Sequence, residues 1–179
     1  MQQNAAIFSR HLIAHTHVKT SKPHHQGFSL IELMVVVAII AILALLAAPS
    51  LAGKYIRENI VEAMPLANIA KGPVAAAWAT TQTLPEDNES AGLPAADKMV
   101  NNVVKSITVE EGAIHILFGN RANGALQGKT LTLRPAVVED SPIVPVAWVC
   151  GHAKAPEKMT VMGVDRTDIA KAHLPVNCF

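Results

Sequence analysis

Charge is absent where a soluble helix would need it: no Asp, Glu, Lys or Arg occurs between Leu33 and Gly53. At ~1.5 Å per residue such a run covers the roughly 30 Å of a bilayer core. Aromatic residues are scarce too, at 4%, which excludes a dense aromatic stack. No nucleophile stands beside a base, and there is neither a Gly-rich phosphate loop nor a zinc-ligand spacing. The chain therefore does not read as an enzyme, and no cofactor or metal is expected. The formal net charge is +1, which is no global nucleic-acid signature. There is no internal repeat.

What is present is concentrated at residues 27–53. Glu32 stands at the head of the apolar run, and the only charges before it are Arg10, Lys19 and Lys22. A carboxylate at the edge of hydrocarbon is costly, so it marks a functional site. Just after the run, Lys54 and Arg57 are matched by Glu58 and Glu62. This bias places the N-terminus in the cytoplasm and the C-terminus outside. An exported region sits in an oxidising space, and the two cysteines, Cys150 and Cys178, suit one disulfide there. Two free buried thiols are the other reading.

Residues 1–27 read as a leader rather than as structure, with five of the histidines, His11, His15, His17, His24 and His25. Their spacing could ligate metal, but no Cys or carboxylate stands nearby. From Ser29 to about Thr81 the chain reads as helix, apolar all round in its first half (28–53). In the second half (54–81), Ile56, Ile60, Met64, Ala67, Ala70, Val74 and Trp78 recur at helical spacing on one face. Pro49, Pro65 and Pro73 divide it into three helices or bend a single spine.

The stretch 82–103 opens as a polar turn-rich loop. Between 104 and 150 four strands alternate: Val104–Val109, Ile114–Phe118, Lys129–Arg134 and Val144–Cys150, with Pro145 pushing the last toward a sheet edge. His115 reads as ordinary sheet surface, and Trp78 and Trp148 as core. Short connections imply an antiparallel meander covered by the amphipathic helix half. Residues 150–178 read as an irregular closing loop. There Lys154, Lys158, Arg166 and Lys171 could face DNA, but Glu157, Asp165 and Asp168 interleave, as on a solvated surface.

The stretch Gly27-Phe28-Ser29-Leu30-Ile31-Glu32, with the apolar run behind it, resembles the N-terminus of a type IV prepilin. The segments PEDNESAGLP, SITVEEGAIHILFGN, LQGKTLTLRP, WVCG and LPVNC resemble major pilins of the IVa type, so the likeness covers roughly 27–178. It implies an α+β pilin fold: a long, kinked N-terminal helix packed on a four-stranded antiparallel sheet, with a C-terminal disulfide-bound loop. It favours the single spine, with Pro49 at the kink, and a Cys150–Cys178 bridge around a surface-displayed region. It also implies that prepilin peptidase cuts between Gly27 and Phe28 and N-methylates Phe28.

Glu32 would then pair with the Phe28 amine of a neighbouring subunit during docking. The partners implied are other pilin subunits, the peptidase, the inner membrane and the pilus assembly machinery, with weaker support for DNA. The location implied is the inner membrane, then a surface pilus serving adhesion, twitching motility or DNA uptake. Two rival readings stand beside this one. A type II secretion pseudopilin would share the N-terminal helix. An exported soluble binding protein would be cut after Ser50-Leu51-Ala52, a small-x-small site.

Overall fold

The structure is a computed structural model that describes residues 27–179, with backbone alone at 47–52. The leader read at 1–27, apart from Gly27, and its histidines lie outside the described residues. Two compact units meet in sequence at Ala41/Ile42, and each is treated by itself.

Helix α1 (Leu30–Thr81) has 52 residues and runs through Pro49, Pro65 and Pro73. One spine is thus found rather than three helices. Ser29 starts it: the Glu32 backbone N–H donates to Ser29 Oγ at 3.2 Å, satisfying one of the first-turn donors that lack an intrahelical partner. Glu32 in the first turn also suits the positive end of the helix dipole. At the far end, Gln82 turns left-handed at φ 55° while its N–H still bonds the Trp78 carbonyl.

Side chains from Gly27 to Leu46 are all exposed. Among the described residues no helix is long and apolar enough to cross a membrane. From Leu30 to Leu46 the helix rises roughly 25 Å, short of a bilayer core; the uncharged sequence itself continues to Gly53.

In the second unit, α1 turns one stripe inward. Ile56, Ile60, Ala63, Ala67, Ala70, Val74 and Trp78 are buried, as the 3.6-residue period dictates, with Ala63 rather than Met64 at the deepest point of its turn. The three alanines let the helix lie close to the sheet. The sheet is antiparallel, in the order β1 (Val104–Glu110), β2 (Ala113–Phe118), β3 (Thr130–Val137), β4 (Ala147–Cys150). Ile107, Val109, Ile114, Ile116, Phe118, Leu131 and Leu133 complete the core with the helix stripe.

Three details depart from the sequence reading. β3 continues through Pro135 to Val137. β4 begins only at Ala147, leaving Pro145 outside the edge strand. A two-residue β5 (Thr160–Val161), inside the segment read as irregular, pairs with the end of β3.

The closing segment crosses the sheet beyond β5. Met162 N–H donates to the Pro135 carbonyl at 2.9 Å. Gly163, at φ 79°, comes so close to β2 that a Cβ there would stand 2.7 Å from Ala113 Cβ. Glycine is required on both counts.

Candidate processing and assembly site

Gly27 and Phe28 precede α1 in exposed chain outside any helix or strand, and Phe28 is 83% exposed. That accessibility is what a processing enzyme needs. In the uncut chain Phe28 carries a peptide N–H rather than an amine. Among the described residues Glu32 forms no ion pair. Ser29 and Glu32 together spell the capping pattern Ser-x-x-Glu before an apolar run, a signal overlooked in favour of the carboxylate alone. Behind them Leu33, Met34, Val37, Ala38 and Ala41 line an open apolar groove along the helix. Pro49 lies within α1, in the stretch whose side chains are not described.

In the second unit Cys150, at the end of β4, is bridged to Cys178 across 28 residues. His152 N–H donates to the Cys178 carbonyl at 3.0 Å, which ties the chain's end beside the bridge. The Arg57 guanidinium donates to the Ala172 carbonyl at 3.0 Å, so α1 also holds this region.

The loop after α1 hangs on Asn88, which the sequence reading passed over as turn filler. Its amide nitrogen donates to the carbonyls of Pro94 and Ile107, each at 3.0 Å. Its carbonyl oxygen accepts the Val109 N–H at 2.7 Å. Nearby, hydrogen bonds from the backbone and hydroxyl of Ser90 hold the Asp87 carboxyl below its usual range.

His115 and Trp148 are corrections. His115 is buried rather than on open sheet surface, because the closing segment covers that face. Trp148 is only partly buried, with Lys71 Nζ 5.6 Å from its ring centroid. Burial lowers the Lys71 pKa.

Of the cations Lys154, Lys158, Arg166 and Lys171, Arg166 alone forms an ion pair among the described residues, while the acidic residues Asp165 and Asp168 are both engaged. Arg166 pairs with Glu110. Asp168 pairs with Lys129 at 3.3 Å and accepts the Thr130 N–H at 2.6 Å. Asp165 accepts the Thr167 N–H at 2.9 Å and lies 2.9 Å from His152 Nδ1. Burial would raise the Asp165 pKa, but Thr167, Arg134 and His152 outweigh it and hold it low. Among the described residues no group of three or more His, Cys, Asp or Glu could hold a metal ion.

Two family models match the chain. One, described as pilin (bacterial filament), covers residues 57–179; the other, the prokaryotic N-terminal methylation motif, covers 22–48. The type IV major pilin protein PilE1 of Neisseria gonorrhoeae is 36% identical over 160 residues, 86% of each chain. The fimbrial protein of Neisseria meningitidis serogroup B is 32% identical over 162 residues, 86% of this chain and 93% of its own. The fimbrial protein EcpC of Eikenella corrodens is 38% identical over 129 residues, 70% of this chain and 81% of its own.

Proposed function

The chain belongs to the pilin family and is a structural subunit of a type IV pilus, and we propose that it enters the filament through the helix of residues 28–53. Prepilin peptidase cuts between Gly27 and Phe28 and methylates the new Phe28 amine. Before assembly the apolar run lies in the inner membrane, where the sequence from Leu33 to Gly53 supplies the length. The assembly machinery then moves that run from lipid to neighbouring helices. Pro49 removes one intrahelical hydrogen bond and gives the helix a place to bend. The finished filament stands on the cell surface, for adhesion, twitching motility or DNA uptake.

The observation that carries this reading is the exposure of every described side chain from Leu30 to Leu46, whereas residues from Ile56 onward form a core of their own. Such a surface needs lipid or other helices. At ~25 cal/mol per Å², burying it among neighbours holds subunits without covalent links. The Glu32 carboxylate adds register by pairing with a neighbour's Phe28 amine in low dielectric. No observation favours a pseudopilin or a soluble binding protein.

Glu32→Ala tests the pairing. It leaves one buried charge without a partner, at about 3–5 kcal/mol. Filament yield should fall on the order of a hundredfold, while the melting transition of the globular part stays in place. Normal filament number in Glu32→Ala cells would refute the role. Intact mass of sheared filaments checks the processing: the chain should begin at N-methylated Phe28 and lack two hydrogens for the disulfide. A chain beginning at Gly53 in the soluble periplasmic fraction would overturn the assignment of the cut.

A further inference from the structure

On the face of the sheet away from α1, five side chains from four segments meet. His115 (β2) is 6% exposed and its cross-strand neighbour Thr132 (β3) is 0% exposed. His115 Nδ1 and Thr132 Oγ1 are 3.0 Å apart. Thr132 Oγ1 also accepts the Arg166 backbone N–H at 3.0 Å, and Thr132 N–H donates to Thr167 Oγ1 at 3.1 Å. Glu110 (β1) lies 3.7 Å from His115 Nε2 through one oxygen and binds the Arg166 guanidinium through the other.

Thr132 Oγ1 accepts the Arg166 N–H and keeps a second lone pair and its own hydrogen, so it can meet either neutral tautomer of His115 at Nδ1. The other ring nitrogen, Nε2, is buried without a hydrogen-bond partner, 3.7 Å from Glu110. A doubly protonated ring would set a second positive charge beside the Arg166 guanidinium that already binds Glu110, where neighbouring Thr132 is sealed from water. The repulsion falls on the segment that carries Arg166.

We propose that His115 is a proton-operated latch: neutral, it fastens the Asp165–Asp168 segment to the sheet through Thr132, and its protonation in mild acid loosens that segment. The latch goes beyond the subunit's role in the filament and does not depend on it. The charged groups around the ring act in both directions. Burial, and then the Arg166 charge, push the His115 pKa below its ordinary value, against Glu110 and Asp165, which raise it. The first pair prevails. A histidine held low in the folded state leaves stability whole above its ordinary value and drains it as pH falls below. An opened segment lets His115 titrate near 6.5, so the open fraction rises at most about 30-fold between pH 7.5 and 5.0.

Hydrogen–deuterium exchange on the full chain in detergent tests this, with rates corrected for the intrinsic effect of pH. Peptides spanning 162–168 should open more at pH 5.0 than at pH 7.5, by severalfold and up to that ceiling. In His115→Gln, whose amide can accept from or donate to Thr132 but does not titrate, the rise should fall below about twofold. An unchanged segment in the natural chain, or an equal rise in His115→Gln, which would assign the effect to another group such as His152, overturns the latch. NMR titration of the His115 ring in the unsubstituted chain decides independently of whether the variant folds: a midpoint at or above 6.5 refutes it, and one clearly below supports it.

Discussion

The two halves of α1 are both rich in apolar residues and end in opposite states. From Leu33 to Leu46 the helix is Leu, Met, Ile, Val and Ala on every side, and none of it is covered. From Ile56 to Trp78 the apolar residues fall on one stripe, and that stripe is buried. Charge separates the halves in the sequence, none at 33–53 against Lys54, Arg57, Glu58, Glu62 and Lys71 beyond, and with it goes the angular spread of the apolar residues. A stripe can be satisfied by one sheet of the same chain, whereas a helix apolar all round needs a solvent of hydrocarbon or several other helices. The alanines sharpen the contrast. Ala63, Ala67 and Ala70 are fully buried and bring the helix backbone close to β-strands. Ala38 and Ala41 line an open apolar groove on the first half.

The largest break in this comparison comes from truncating one apolar residue in each region. Phe118→Ala, in the centre of the core, should cost about 3–5 kcal/mol of folding stability. Ile39→Ala, at 52% exposure, should leave thermal unfolding of the globular part within about 0.5 kcal/mol. Its effect should instead appear as fewer or more easily sheared filaments. Equal loss of folding stability in both variants would end the distinction between a satisfied and an unsatisfied half.

The disulfide comes next. Closing a loop across 28 residues stabilises by roughly 3–4 kcal/mol in the chain-entropy account. Replacing Cys150 and Cys178 together by Ser should lower the denaturation midpoint accordingly. Proteolysis should then cut first within 151–177. The first half of α1 should show no change in exchange, since no bond from the bridge region reaches it among the described residues.

Much of this was legible from periodicity. The helix stripe, β1, β2 and the start of β3 could be read because each alternates or recurs against a single buried face. The motif at Gly27–Glu32 was legible because a carboxylate before an apolar run is so rare. What escaped detection depended on contacts far away in sequence. His115 looked like surface because its strand alternates, yet the segment carrying Arg166 covers that face. β3 ran past Pro135 because β4 and β5 both pair with its end. β5 is two residues long, too short for any pattern. Asn88 looked like turn chemistry because Asn in a polar loop usually is; its burial exists only once β1 lies beneath it.

Asn88 therefore makes the third test. Asn88→Ala leaves the Val109 N–H and the Ile107 carbonyl without a side-chain partner, at about 1–3 kcal/mol. The loop at 85–94 should lift from β1, visible as faster amide exchange at Val109. Asn88→Asp keeps the acceptor for Val109 but turns a buried carboxylate oxygen on the Pro94 and Ile107 carbonyls, so at neutral pH it should cost at least as much as Asn88→Ala. If Asn88→Ala unfolds no sooner than the natural chain, the loop is held by its apolar contacts, and the buried amide contributes no net stability.

The smallest effect belongs to Ser29, where the unsatisfied half begins. Its hydroxyl takes the Glu32 N–H, and loss of an N-cap costs about 1 kcal/mol. Ser29→Ala should fray the first turn of α1 and leave the globular core untouched; Ser29→Asp should restore the cap. The pair separates two roles of neighbouring residues. If Glu32 acts in assembly only by holding the first turn, Ser29→Ala should reproduce the filament defect of Glu32→Ala, and Ser29→Asp should relieve it. If Glu32 acts as a charge toward a neighbour's Phe28 amine, Ser29→Ala should assemble within severalfold of normal while Glu32→Ala does not. Counting filaments in the three strains distinguishes a local cap from an intersubunit pair.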